Sequence, residues 1–159
     1  MKSPTYGNVS IDEMLELITK YINQDSDGNY EITVGSDSQT FGNKTKYVLV
    51  ITCRKVGNGG IFFYEIKWFE KSKTLQHKIH QEVQMSLDMA SIINTFVDEM
   101  DKENVNFTQI DVDIGVNGET REFIREIRGW IEAMGDTPVV IKGEKIGQIA
   151  TVVANRISK

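Results

Sequence analysis

The chain has 159 residues, 40% of them hydrophobic and 26% charged, with a formal net charge of −5. That is ample for a core and too apolar for a disordered chain, and the acidic balance excludes a protein whose whole surface grips nucleic acid, though not one with a local basic groove. A lone cysteine, Cys53, excludes an internal disulfide and fits a reducing cytoplasm, while no apolar run approaches the ~18 residues of a membrane span and Met1-Lys-Ser-Pro-Thr5 lacks the apolar core of a signal peptide.

The length fits one domain, with residues 1–29 as an N-terminal helix and linker turn and 30–159 as the core. Ser10 to Asn23 reads as a helix. Ser10 and Glu13 fit a capping box, and Ile11, Met14, Leu15, Ile18, Tyr21 and Ile22 share one face. Asn23-Gln-Asp-Ser-Asp-Gly28 copies the first half of a calcium loop. Its twelfth position is Val34 instead of Glu, so the segment reads as a polar turn.

Three strands follow. The first is Glu31-Ile-Thr-Val-Gly-Ser-Asp-Ser-Gln-Thr40, with Asp37 set between two serines. Asp37 shares a face with Gly35, which has no side chain to crowd it. A carboxylate within a central strand is costly unless something pairs with it. Two readings stand at this point: a metal ligand, or an Asp capping a turn at Phe41-Gly42-Asn43-Lys44. Lys46 to Lys55 is apolar and β-branched, Gly57-Asn-Gly-Gly60 makes a tight connection, and Ile61 to Phe69 is rich in aromatics. Together they predict an antiparallel meander.

Gln76 to about Met100 predicts a long helix with an apolar stripe of Leu75, Ile79, Met85, Met89, Ile92, Ile93, Phe96, Val97 and Met100. Glu82 falls inside the stripe. It either faces the sheet and needs a partner, or lies at the stripe's edge and reaches solvent. Phe107 to Ile114 is a further strand, followed by Gly115-Val-Asn-Gly118 and a helix to Met134 that Asn117 would cap. Thr137 to Lys142 predicts an edge strand because Pro138 sits near its start. Ile146 to Ile157 predicts the last helix. The sum is a mixed five-stranded α/β sheet with helices on both faces.

Asp111 and Asp113 share a strand face by parity, and Asp113 is nearer the strand's carboxyl end, where open α/β sheets gather ligands. If that strand runs parallel beside the Asp37 strand, Asp37, Glu82 and Asp113 converge. Three carboxylates within ~4–5 Å repel by about 4 kcal/mol per close pair at an intermediate dielectric. Mg²⁺ or Mn²⁺ would reverse that balance, since all the ligands are oxygens.

This order of elements and acidic residues resembles the ribonuclease-H-like fold. More narrowly, Val34-Gly-Ser-Asp-Ser-Gln39, His80-Gln-Glu82, Asp111-Val-Asp-Ile-Gly115 with Asn117-Gly118, and Ala154-Asn-Arg156 resemble the YkuK-like family, a bacterial group of uncharacterised function. The resemblance covers about Glu31 to the C-terminus. It implies two-metal phosphodiester hydrolysis of RNA or DNA, with Asp37, Glu82 and Asp113 as catalytic metal ligands and Glu144 as the nearest candidate for the fold's fourth acidic residue.

Lys67, Lys71, Lys73 and Lys78 against Glu70 form a basic segment beside His77 and His80. It reads equally as a phosphate seat or a solvated helix entrance. Ser38, Lys73 and His80 are the candidate substrate contacts. His77 and His80, three apart, could hold a zinc, or either could shuttle protons. Arg121, Arg125 and Arg128 alternate with Glu122 and Glu126 as on a salt-bridged exposed face. Three functional readings follow: a metal-dependent nuclease; an inactive module binding nucleic acid or protein; and a nucleotide phosphate loop at Asp113-Ile-Gly115 and Gly118.

Overall fold

The computed structural model describes residues 1–112, 123–133, 139–141 and 149–159. Its elements are β1 (Lys2–Ser3), β2 (Gly7–Asn8), α1 (Ile11–Asn23), β3 (Tyr30–Phe41), β4 (Lys44–Lys55), β5 (Gly60–Glu70), α2 (Leu75–Met100), β6 (Val105–Val112), α3 (Phe123–Ala133), β7 (Val139–Ile141) and α4 (Ile149–Ser158). The strands form one mixed sheet in the order β2-β1-β5-β4-β3-β6-β7.

The meander is as expected: β3 pairs antiparallel with β4, and β4 with β5. β6 runs parallel to β3, and β7 lies at the edge, parallel to β6. The expected five strands become seven among the described residues. The extra two are the short β1–β2 ribbon, which joins the sheet where Lys2 pairs with Tyr64. The Met1 ammonium donates to the Val9 carbonyl at 2.8 Å, and Gly7 turns the chain at φ 75°. Two-residue strands are too short to carry an alternation that a sequence could reveal.

Ser10 makes the capping box. Its Oγ accepts from the Glu13 N–H at 3.1 Å, and Glu13 Oε2 accepts from the Ser10 N–H at 2.7 Å. The polar turn after α1 also forms: the Asp27 N–H donates to Asp25 Oδ1 at 3.3 Å, and Asp25 pairs with Lys55. β3 continues through Phe41, so Asp37 lies inside a strand and caps no turn.

Alternation along the strands sorts the core between two faces. One face carries two apolar clusters. The first joins Met14, Ile18 and Ile22 of α1 to Leu49, Ile51 and Phe63 of the meander and to Met85, Met89 and Ile93 of α2. The second joins Ile79, Val83, Leu87 and Ala90 of α2 to Ile110 and Val112 of β6 and to Ile127 and Ile131 of α3. On the opposite face Val48 and Val50 pack with Ala154 of α4. α2 therefore buries two stripes where one was expected. Leu75 and Ile92, expected inward, are exposed at its flanks, because a 26-residue helix laid across two clusters turns its buried sector along its length.

Cys53 is fully buried in the first cluster, and burial pushes its thiol up to about 12. The thiolate, the reactive form, is therefore suppressed. At pH 8 a disulfide-exchange reagent should label the native chain at least about 100-fold more slowly than the urea-unfolded chain. Equal rates would show that the first cluster does not enclose Cys53.

Candidate carboxylate site

Consecutive residues of a strand point to opposite faces, and the site is built on that fact. Asp37, paired across the ladder with Val48, faces α4. Ser158, at the last turn of α4, donates its hydroxyl to Asp37 Oδ2 at 2.6 Å. Ser36 and Ser38 face α2. Ser38 Oγ donates to Glu82 Oε1 at 2.5 Å, and Ser36 Oγ donates to the Glu82 backbone carbonyl at 2.8 Å. Ser86, one turn beyond Glu82, donates to Ser36 Oγ at 3.0 Å.

Glu82 is 9% exposed and Ser86 1%. Glu82 thus faces the sheet and does not reach solvent. It and Ser86 form a polar row on α2 between the two stripes, set against the serines of β3. The hydroxyl of Tyr47, opposite Ser38 in the ladder, bonds Ser72 at 2.8 Å. Burial raises the Tyr47 pKa, the Ser72 bond opposes this, and the Glu82 charge adds a smaller upward push. The phenol therefore stays protonated beside Glu82 at neutral pH.

Asp111 lies on the α4 face with Asp37, because its neighbours Ile110 and Val112 pack on the other side. It is 1% exposed, stands beside Gly35 in the parallel ladder, and accepts from Gln109 Nε2 at 2.6 Å. Sequence reasoning passed over Asp111 in favour of Asp113, although the Asp-Val-Asp alternation gave both the same parity. Asp113 lies just past the last described residue of β6, and it, Glu144 and the Asp113–Gly118 loop are outside the described residues.

The other two candidate contacts, Lys73 and His80, lie at the start of α2. Lys73 is exposed in the segment leading into α2. His80 is two positions from Glu82, and such residues do not face each other on a helix. It leans toward α3 instead: its ring centroid is 5.2 Å from that of Trp130, and Nε2 lies 3.1 Å from Glu126 Oε1, outside hydrogen-bond geometry. Gln76 reaches the same Glu126 carboxylate at 3.2 Å. His80 thus joins α2 to α3.

Among the described residues, no three His, Cys, Asp or Glu side chains gather as a metal cage. Asp37 and Glu82 supply the hard oxygen donors that Mg²⁺ or Mn²⁺ takes, but they flank β3 from opposite faces. None of the described helices is long and apolar enough to cross a membrane.

A sheet with an antiparallel meander, a parallel strand beside its first member and helices on both faces defines a ribonuclease-H-like protein. The family profile described as "Ribonuclease H-like" matches residues 13–159, and the chain belongs to that family. The match begins inside α1, earlier than the Glu31 start expected. The chain is similar to "Uncharacterized protein YkuK" of Bacillus subtilis (strain 168), at 23% identity over 96% of this chain and 93% of that one. The narrower resemblance seen in the motifs therefore holds.

The Ser38–Glu82 bond is the testable joint of this arrangement. Ser38→Ala removes a hydroxyl donor from a buried carboxylate and should cost about 1.5–3 kcal/mol in urea unfolding at neutral pH. An unchanged unfolding midpoint would show that Glu82 is held without it.

Proposed function

We propose that the chain is a metal-dependent phosphodiesterase acting on nucleic acid. The observation that carries this reading is the carboxylate Glu82, buried against Ser38 at the position next to Asp37 on the central strand. A protein that needed only a stable core would do as well with an apolar side chain there, since buried charge is costly. In a ribonuclease-H-like sheet, carboxylates at the central strand have a use that offsets that cost.

Asp37 and Glu82 would each contribute oxygen ligands, with Asp113 as the third and Glu144 as the candidate fourth. Asp111 adds a buried carboxylate on the face of Asp37. A bound Mg²⁺ or Mn²⁺ pair supplies Lewis-acid activation of water and stabilisation of the leaving oxygen. The side chains of this protein orient the ligands: Ser38 fixes one oxygen of Glu82, and Ser158 fixes one oxygen of Asp37. Such outer hydrogen bonds set carboxylate direction before any ion arrives.

A second reading is a binding module without turnover. It draws on the separation of Asp37 and Glu82 across β3 and on the lack of a three-ligand cage among the described residues. Incubation with single-stranded, duplex and hybrid oligonucleotides in Mn²⁺ or Mg²⁺ separates the two. On the leading reading cleavage occurs, chelation abolishes it, and Asp37→Asn or Glu82→Gln lowers it by on the order of 100-fold. Cleavage that survives Asp37→Asn would sink the assigned site. Manganese binding without cleavage of any substrate would favour the module.

A further inference from the structure

Past the last turn of α4, two large aromatic rings stand exposed on the sheet face that carries Asp37. Phe41 ends β3 and is 41% exposed; Trp68, near the end of β5, is 52% exposed. Their centroids lie 5.8 Å apart with the rings tilted by 51°. The ladder fixes their face: Gln39 pairs with Lys46, Lys46 with Trp68, and Phe41 with Lys44. Lys46 Nζ donates to the Ile157 carbonyl of α4 at 2.5 Å, so this is the α4 face. Asp37 and Phe41 are on the same strand and face. Four residues of strand span about 13 Å, roughly the rise of four stacked nucleotides.

The charge around the rings differs from the rest of the chain. Residues 41–46 and 67–73 carry five lysines and one acidic residue, Glu70, in a chain of net charge −5. Lys67 is engaged by Glu65 at 3.1 Å. Lys46 is tied to the Ile157 carbonyl, which leaves Lys44, Lys71 and Lys73 against Glu70. The Lys71 backbone N–H donates to the Asn43 carbonyl at 2.8 Å, which holds this lysine segment against the β3–β4 turn. Exposed rings with lysines beside them match the two demands of single-stranded nucleic acid, faces for the bases to stack on and cations for the phosphates. A protein partner fits less well, because lysine is depleted from protein–protein interfaces.

We infer that Phe41 and Trp68, flanked by Lys44 and Lys71, form a stacking platform for single-stranded nucleic acid that leads the strand toward Asp37. This deepens the proposed function and rests on it. A duplex keeps its base faces stacked inside and would gain only the lysine contacts, so the platform selects unpaired strands.

The test is binding of a short fluorescein-labelled oligothymidylate by anisotropy, with chelator present so that nothing is cleaved. Trp68→Ala and Phe41→Ala should each weaken binding about tenfold. Lys44→Glu should weaken it and flatten its salt dependence. With Trp130 replaced by Phe, the remaining Trp68 emission should be quenched on binding, a readout that a folding defect would not produce. Wild-type binding undiminished in both ring variants, or equal affinity for duplex, would overturn the platform and leave the nuclease reading standing. Loss of self-association in Trp68→Ala with unchanged oligonucleotide binding would overturn it in favour of a contact between copies. A wild-type chain that neither binds nor cuts any oligonucleotide would overturn both.

Discussion

A carboxyl group is set into an otherwise apolar helix–sheet contact, and the hydroxyl of Ser38 holds it there. Taking a carboxylate out of water costs several kcal/mol unless hydrogen bonds replace the lost hydration. The replacements come from β3, because only a strand with serines at alternate positions can present a row of hydroxyls to one helix face. Ser36 and Ser38 do this, and Ser86 extends the row on α2. The polar seam so formed also parts the apolar interface. The cluster shared with α1 lies on one side of it, and the cluster shared with β6 and α3 on the other. The position of α2 on the sheet is therefore set by a polar contact as well as by burial of its two stripes.

β3 then acts as a partition. The side chain next to Ser38 passes to the other face, where Asp37 meets the end of α4. Glu82 and Asp37 are thus neighbours through the strand backbone and not across a cavity. Asp37, Phe41 and Trp68 lie on one face of the sheet, while Glu82 reaches the same strand from the other.

Much of the architecture was legible because it depends on short-range pattern. The meander, the edge position of β7 and the capping box of α1 follow from alternation, turn residues and caps, whereas the parallel pairing of β6 with β3 was only a condition until the sheet was seen. Glu82 was legible as an anomaly: a charge where the 3.6-residue period wants an apolar side chain. For His80 the sequence showed only nearness to Glu82; the contacts with Trp130 and Glu126 needed α3 in place. Leu75 and Ile92 misled because a single-stripe template was laid on a helix that serves two clusters. The β1–β2 ribbon carried too few residues to show any period.

By itself the sequence determined the class of fold, the face on which each β3 side chain lies, and the presence of a carboxylate within the long helix. These are consequences of local periodicity, which the chain carries wherever it is placed. Only the tertiary structure decided that Ser38 is the partner of Glu82, that Ser158 is the partner of Asp37, and that Asp111 is buried on the same face as Asp37. Each of these pairings joins residues far apart along the chain, and their contact depends on strand order and on how helices settle over the sheet. Periodicity says which way a side chain points; packing decides what it meets.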